Sequence, residues 1–248
     1  MILGILQARM ASSRLPGKVL APILGRPMLE LQIERVRGCQ RIQKLVVATS
    51  NDSGDKPIAE LCDRIKIECF RGDLENVLDR FYQAAKLYGA DHIVRLTGDC
   101  PLADPGIISG LVDFYFRERC DYASNCQEPT LPDGLDAEIF SFSVLEKAWK
   151  EAELPLELEH VTKYIRNHSE KFQIRCLKYK ADLSSLRWTV DQEKDLEFVR
   201  RVYEALYGDN PEFSMKDVLA LLDEQPQLAE MNKKYQRNEG SKIGASSS

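Results

Sequence analysis

Short apolar runs alternate with helical patterns through the first half of the chain. Residues 1–7 (MILGILQ) and 44–49 (KLVVAT) are almost entirely apolar, which predicts strands that are buried on both faces. Between them, residues 27–38 repeat apolar side chains at helical spacing. Buried strands that alternate with helices are typical of a parallel sheet with helices on both sides.

The same alternation continues to about residue 120. We predict helices at 56–64, 74–88 and 107–116, and strands at 65–70 and 91–96. The 74–88 segment carries its apolar residues on one stripe, and Gly89 follows as a C-terminal cap. The first half of the chain therefore predicts repeated β-α units.

The pattern becomes less regular after residue 120. We predict strands at 122–125, 137–142 and 172–177, helices at 144–153, 157–167 and 192–207, and a helix that starts at Ser214. No repeat or linker divides the chain, so we expect one α/β domain over residues 1–235. Residues 236–248 lack apolar content, apart from one isoleucine, and end in serines, so we expect a disordered tail.

Composition excludes several classes of protein. The 34 basic and 39 acidic residues give a net charge of −5, which argues against general nucleic-acid binding. The seven cysteines include no CxxC or CxxH pair, which predicts reduced thiols in a cytoplasmic protein and no zinc site. No apolar run approaches the ~20 residues that span a bilayer, so we expect no membrane association.

The first candidate motif is QARMASSRLPGK, at residues 7–18. It carries three cations and two hydroxyls, at Arg9, Ser12, Ser13, Arg14 and Lys18. It follows the first strand, at the edge where parallel sheets bind ligands, and its cations and small residues suit phosphate oxygens. It is not a Walker loop. The alternative is a solvated basic loop, and in either case we expect it to be exposed.

A second motif, RLTGDCPL, places Asp99 just after the strand at 91–96. A carboxylate at a strand end near a phosphate loop suits a divalent cation such as Mg²⁺, which prefers oxygen ligands. The alternative is a helix cap, but Asp104 fits the cap of the following helix better.

A third motif, LRWTVD, ends in Asp191 before the helix predicted at 192–207. Asp191 alone is equally explained as an N-cap of that helix, with Asp195 as an incidental polar residue. A metal site built on Asp99 requires a second carboxylate, which favours Asp191 as a ligand.

The second half contributes acids and one histidine. The segment PDGLDAEIF carries Asp133, Asp136 and Glu138 on a turn and a strand start, where carboxylates suit sugar hydroxyls or form only a solvated hairpin turn. His160 follows in the segment EHVT, and alone it is as readily a packed structural residue.

The segments QARMASSRLPGK, RLTGDCPLADP, PDGLDAEIFS, LEHVT and RWTVDQEKD occur in this order. Together they resemble the cytidylyltransferase family that includes spore-coat polysaccharide biosynthesis protein F. That family is similar to the CMP-sugar synthetases for 3-deoxy-manno-octulosonate and sialic acid. The resemblance covers about residues 1–208. It implies a Rossmann-like, glycosyltransferase-A-like fold with a mixed, mostly parallel sheet.

The resemblance also implies a reaction, in which CMP passes from CTP to a sugar-like acid or phosphorylated acceptor with release of pyrophosphate, in surface polysaccharide or glycoconjugate precursor synthesis. It implies a nucleotide half at about 1–120, an acceptor half at about 121–235, and Mg²⁺ or Mn²⁺ as cofactor, and it leaves a homodimer open.

The implied nucleotide contacts are Gln7, Ala8, Arg9, Met10, Ser12, Ser13, Arg14, Lys18, Thr97 and Gly98. The implied catalytic residues are Arg14, Lys18 and Asp99, and the implied metal ligands are Asp99 and Asp191. The implied acceptor contacts are Asp133, Asp136, Glu138, His160 and Arg187.

Two rival functions remain at this stage. A glycosyltransferase that uses a nucleotide-sugar shares the fold, but such enzymes usually carry a DxD metal motif, which Asp133 and Asp136 do not form. The second rival is a catalytically idle binding protein of the same fold.

Overall fold

The computed structural model describes residues 1–235 and Arg237. Nine strands lie in this part of the chain: β1 Ile2–Gln7, β2 Pro22–Ile23, β3 Arg26–Pro27, β4 Lys44–Ser50, β5 Glu68–Gly72, β6 His92–Thr97, β7 Tyr122–Ser124, β8 Glu138–Ser141 and β9 Ile174–Cys176. The predicted tail at 236–248 lies outside the described residues, apart from Arg237.

The described residues also form ten α-helices. They are α1 Met28–Arg37, α2 Lys56–Arg64, α3 Val77–Leu87, α4 Pro105–Glu118, α5 Phe142–Glu151, α6 Pro155–Glu159, α7 Lys163–Asn167, α8 Glu193–Leu206, α9 Met215–Glu224 and α10 Gln227–Glu230. Two single 3-10 turns, at Lys18–Leu20 and Ser53–Asp55, precede α1 and α2. Among these described helices, none is long and apolar enough to cross a membrane.

Seven strands form one sheet in the order β5-β4-β1-β6-β8-β7-β9. The pairs among β5, β4, β1 and β6 are all parallel, whereas β8 runs antiparallel to both β6 and β7. The predicted mixed, mostly parallel sheet is therefore confirmed. The antiparallel strand β8 marks the change from regular β-α units to the less regular second half.

Helices cover both faces of the sheet. On one face α1, α2 and α4 pack against strand residues such as Leu6 and Val94. On the other face α3, α5 and α7 pack against Ile5, Ile93 and Phe140. A third core is built around Trp188 and contains buried residues of α8 and α9.

The predicted helix at 157–167 is wrong in one respect, because the structure breaks it into α6 and α7. Val161 between them has a φ of 47°, a left-handed conformation that a helix cannot contain. The predicted strand at 65–70 begins later, at Glu68, because Ile67 donates its backbone N–H to Cys62 O of the preceding helix end (3.0 Å). Hydrophobic content alone did not show either boundary.

The carboxyl ends of β1 and β6 meet at one edge of the sheet. Gln7 pairs with Thr97 there, and Gly98 donates its N–H to Gln7 O at 2.8 Å. A Cβ at Gly98 would lie only 3.0 Å from the same oxygen, so glycine permits this close approach. Glu138, at the start of β8, pairs with Arg95 next to this edge. Both halves of the chain therefore contribute side chains to one edge.

Gly134 is required where the second half of the chain turns back on this edge. Its φ is 111°, and a Cβ there would lie 2.5 Å from the backbone nitrogen of Thr189. We expect Gly134→Ala to destabilise the fold by about 3 kcal/mol, since backbone strain and a backbone clash add. Gly110→Ala is the matched control. Nothing lies within 4 Å of its Cβ position in α4, so alanine should stabilise that helix by up to ~1 kcal/mol. Denaturant unfolding of both variants measures the difference, and equal stability would contradict this account.

Candidate active site

Lys18 lies at the centre of the candidate site. Its Nζ donates to Asp191 Oδ1 at 2.8 Å, to Asp99 Oδ2 at 3.2 Å and to the carbonyl oxygen of Val190 at 2.7 Å. Gly17 before it has a φ of 73°, which lets the chain turn into the 3-10 helix that begins with Lys18. The expectation of an exposed loop is wrong for this residue, because Lys18 is only 8% exposed. A buried ammonium requires such acceptors.

Asp191 connects three cations. Its Oδ1 accepts from Lys18 and forms an ion pair with Arg14 Nη2 (2.8 Å), and its Oδ2 accepts from Arg187 Nη2 (3.0 Å). It is not the cap of α8. Gln192 is the N-cap, and it forms a capping box with Asp195. The reading of Asp191 as a plain helix cap is therefore wrong.

Asp99 is held in place through its backbone. Its carbonyl oxygen accepts from the N–H of Val190 at 2.8 Å and from Thr189 Oγ1 at 3.2 Å. The segment before α8 is thus bound directly to the end of β6. The predicted cap role of Asp104 is confirmed, since its Oδ1 accepts from two N–H groups at the start of α4. Asp99 therefore keeps its carboxylate for Lys18.

The charges in this cluster support one another. Burial acts to lower the pKa of Lys18, but the carboxylates of Asp99 and Asp191 outweigh it and raise that pKa. Burial likewise acts to raise the pKa of Asp99, and Lys18 outweighs it and lowers that pKa. Lys18 stays cationic and Asp99 anionic across the ordinary pH range.

The donor set fits a magnesium or manganese ion. The carboxylates of Asp99 and Asp191 converge on one point, where Lys18 Nζ now lies within 3.2 Å of both. Mg²⁺ usually takes one or two protein carboxylates and fills its remaining positions with water and substrate phosphate oxygens. No cluster of three or more acidic, cysteine or histidine ligands occurs in the described part of the chain.

The basic loop is fixed by an acid that the sequence analysis missed. The buried carboxylate of Asp55 accepts the N–H of Met10 at 2.6 Å and also binds Ser50 at the end of β4. Burial acts to raise the pKa of Asp55, but these hydrogen bonds lower it. Within the loop, Ser12 Oγ accepts the N–H of Leu15 at 3.3 Å. An acid shortly after an apolar strand, the signal used for Asp99, also applied to Asp55.

The other residues of the loop differ in exposure. Ala8 is buried and donates its N–H to Ala48 O at 3.1 Å. Arg9 and Ser13 are exposed, and the Arg9 guanidinium lies 3.7 Å from a Glu159 carboxylate oxygen. The structure therefore brings Lys18 and Arg14 to the acids and leaves Arg9 directed at solvent and Glu159.

Arg187 organises the acids of the second half. Its guanidinium contacts Asp133 at 3.1 Å, Asp191 at 3.0 Å and Asp195 at 3.0 Å. Asp195, read from sequence as incidental, is fully buried and also accepts from Asn232. The ring of interactions holds Asp191 in position, and Arg187 is saturated by acids of its own chain.

Arg237 lies over the turn that carries Asp136. It forms ion pairs with Asp136 and, at 3.8 Å, with Asp133. Burial raises the pKa of Asp136 to about 6 even though Arg237 acts to lower it. Burial also raises the pKa of Asp133 against the opposing charges of Arg237 and Arg187. Asp136 is therefore an acid that changes charge near neutral pH.

Glu138 is buried and paired. Its carboxylate accepts from Arg95 and Tyr122, and from Thr162 Oγ1 at 2.6 Å. Burial acts to raise its pKa, but Arg95 outweighs this and lowers it. Arg95 also donates to Gln7 Oε1 at 3.1 Å, and this hydrogen bond holds the Gln7 side chain beside the ion pair.

His160 ends α6 beside this pair. Burial lowers its pKa, so it is neutral at pH 7 and acts as a hydrogen-bonding group rather than as a cation. Its backbone N–H donates to Leu156 O at 3.1 Å.

A sequence model of the cytidylyltransferase family matches residues 3–238. The chain is 33% identical to the spore coat polysaccharide biosynthesis protein SpsF of Bacillus subtilis, over 92% of this chain and 96% of that protein. A solved cytidylyltransferase from Leptospira borgpetersenii has a TM-score of 0.88 and 32% identity, and the match covers 96% of this chain and 99% of that one.

A more distant structure shares the fold. It is a CMP:2-keto-3-deoxy-manno-octonic acid synthetase complexed with CTP, with a TM-score of 0.64 and 20% identity, and it covers 82% of this chain and 98% of its own. The family match extends over nearly all of the sheet, the basic loop and both aspartate motifs. The chain belongs to the cytidylyltransferase family and is a nucleotidyltransferase.

Proposed function

We propose that this protein transfers CMP from CTP to an oxygen of a sugar-like acid or phosphorylated sugar, with release of pyrophosphate. The observation that supports it most is the contact of Lys18 with both Asp99 and Asp191, below a cationic loop at the carboxyl edge of the sheet. The similarity to a spore coat polysaccharide biosynthesis protein favours a surface polysaccharide or glycoconjugate precursor as the product.

On the nucleotide side, the loop of residues 7–18 receives the triphosphate. Arg14 is half-buried and has only Asp191 as a charged partner within the described residues, so it is available to a phosphate oxygen. Ser12, Ser13 and backbone N–H groups of the loop complete the cradle. Thr97 and Gly98 lie at the adjoining strand end, where Gly98 permits the close approach of Gln7 O.

The chemistry requires cancellation of negative charge. An acceptor oxygen attacks the α-phosphorus of CTP, a new P–O bond forms, and the bond from that phosphorus to the bridging oxygen breaks as pyrophosphate leaves. Arg14 and Lys18 offset the charge that develops on the leaving group. Lys18 also holds the carboxylates of Asp99 and Asp191 close to each other. Asp99 and Asp191 would hold Mg²⁺ or Mn²⁺, which supplies positive charge and orientation when bound.

On the acceptor side, the predicted residues divide into two groups. Asp136 and His160 are partly exposed, and we assign them contacts with acceptor hydroxyls. Asp133, Glu138 and Arg187 are almost fully buried and paired, so we assign them to positioning the site rather than to contacting the acceptor.

The direct experiment measures pyrophosphate release with each of four nucleoside triphosphates and a panel of sugar acids and sugar phosphates. We expect release with CTP and at least one anionic sugar, and loss of release when a chelator removes divalent cations. Asp99→Asn and Asp191→Asn should each raise the metal concentration required. The same protein incubated with UDP-sugars tests for a glycosyltransferase. Release of UDP, or activity that survives the chelator, would contradict the proposal.

Lys18 and Arg14 should differ in their contributions to stability. We expect Lys18→Met to lose about 3 kcal/mol of stability because it leaves the Asp99 carboxylate without its ion-pair partner, close to the second carboxylate of Asp191. Arg14→Ala should change stability by less than ~1 kcal/mol, since Asp191 keeps two cations. Both variants should lose about 100-fold in turnover. Thermal unfolding and pyrophosphate release measure the two effects, and a Lys18→Met protein of wild-type stability would contradict the structural role.

Asp136 should impose an acidic limit on activity. Its pKa of about 6 means that the carboxylate protonates as pH falls through 6, so kcat/KM for the acceptor should fall about tenfold per pH unit below it. Because this pKa is higher than the ~3.9 of an unfolded chain, protonation of Asp136 stabilises the fold over this range, and unfolding at this group does not cause the loss. Asp136→Asn should have low activity with no such limb. A limb that persists in that variant would assign it to another group.

A further inference from the structure

Two buried polar atoms near Glu138 have no hydrogen-bond partner among the described residues. They are the Nε of Arg166, in α7, and the Oγ of Ser124, at the end of β7. Ser124 is completely buried. Buried polar groups in folded proteins are nearly always paired, and an unpaired donor costs stability. Two such groups close to one carboxylate indicate a place where something else binds.

The topology places both groups on one side of the sheet. Ser124 pairs with Glu138 across the antiparallel strands β7 and β8, so their side chains lie on the same face. That face is the one covered by α7, since Tyr164 and Ile165 pack in the same core as Tyr122 and Phe140. Ser124 and Glu138 lie close to the edge of the sheet that also carries Gln7 and Thr97.

Arg166 is close enough to influence the groups around Glu138. The charge of Arg166 lowers the pKa of Glu138, after the larger opposing effect of burial and the larger effect of Arg95. Burial lowers the pKa of His160, and the Arg166 charge adds to this effect. The cluster therefore contains Arg95, Arg166, Glu138 and His160.

The charge of this cluster is positive. Glu138 carries one negative charge, which Arg95 neutralises by a direct ion pair, while Tyr122 and Thr162 donate to the same carboxylate. His160 is neutral, the nearby Glu159 pairs with Arg9, and Arg166 has no ion-pair partner among the described residues, so it remains as an excess positive charge. A guanidinium whose buried Nε has no partner in this part of the chain, on the same side of the sheet as a buried unpaired hydroxyl, is a suitable receptor for an oxyanion.

Arg187, by contrast, is not placed for this role. Its guanidinium contacts three aspartates of its own chain, so an acceptor anion would have to displace them. The acceptor contact that the family resemblance implies for Arg187 therefore conflicts with these ion pairs, whereas the Nε of Arg166 has no hydrogen-bond partner within the described part of the chain.

We propose that Arg166 and Ser124 form the subsite that binds an oxyanion of the acceptor, either a carboxylate or a phosphate group. This inference rests on the proposed transfer of CMP, because it identifies the part of the acceptor that the enzyme recognises. Arg166 is a specificity-determining residue, and it selects an acidic or phosphorylated sugar over a neutral one. The anion binds beside Arg95 and Glu138, on the α7 side of the sheet edge.

The first experiment tests the subsite without assuming any acceptor. Arginine Nε resonances of the full chain are recorded by NMR, and that of Arg166 is assigned by its loss in Arg166→Lys. Acetate and inorganic phosphate are titrated separately, with chloride at the same ionic strength as the control. We expect one of the two anions to shift the Arg166 resonance saturably, and Ser124→Ala to weaken that anion's affinity about fivefold. The anion that binds distinguishes a carboxylate site from a phosphate site. If neither anion shifts the resonance, the subsite is overturned.

The second experiment uses the acceptor found in the pyrophosphate screen. Arg166→Gln should raise the acceptor KM at least 30-fold, leave CTP affinity by calorimetry within threefold of wild type, and be partly rescued in Arg166→Lys. Arg175→Gln is the matched control, because Arg175 is exposed on β9, and its KM should not change. A purely structural Arg166 would instead lower thermal stability and CTP affinity together, and that result would overturn the proposal.

The two experiments separate the inference from the proposed function. If anions bind at Arg166 but no acceptor releases pyrophosphate from CTP, then the proposed reaction fails and the anion subsite stands. If pyrophosphate release is found and Arg166→Gln has the wild-type acceptor KM, then the reaction stands and the subsite is wrong.

Discussion

The pairing of one lysine with two aspartates determines how the rest of this active site is built. Lys18 Nζ contacts side chains that are 81 and 173 positions away in sequence. A buried ammonium is tolerated only with several acceptors in good geometry. Each segment that supplies one must therefore be fixed: the 3-10 turn by Gly17, the end of β6 by hydrogen bonds to Asp99 O, and Asp191 by Arg187. Arg187 in turn requires the buried Asp195.

Much of this arrangement was accessible from the sequence, and the reason is topological. Parallel strands end at a common edge, so a charged loop after β1 and an acid after β6 must approach each other. This reasoning predicted that Lys18 and Asp99 lie close together, as they do in the structure, and Asp191 was added because a metal site built on Asp99 requires a second carboxylate. The buried strands were equally clear, because a sheet covered on both faces has continuous apolar runs.

What the sequence did not show were pairings between polar residues. Asp195 gives no hydrophobic signal, and Asp55, although it follows an apolar strand, stands out only when its partner is known. These partners are Arg187 for Asp195 and the N–H of Met10 for Asp55. Arg166 was missed for a different reason, because the sequence predicted one continuous helix over 157–167. The left-handed Val161 separates α7 from α6 and so fixes where Arg166 lies. Local backbone conformation of this kind is set by packing, and residue type alone does not reveal it.

The charge balance of the cluster explains how it is suited to a polyanionic substrate. Asp99 and Asp191 are matched by Lys18 and Arg14, so these four groups carry no net charge. A triphosphate that entered alone would add several negative charges beside two carboxylates, and the low dielectric of a half-buried site would make that costly. In the proposed reaction a divalent cation bound with the nucleotide would offset much of this charge, and Asp99 and Asp191 would be the residues that hold it. Lys18 keeps these two acids close together and offsets part of their charge.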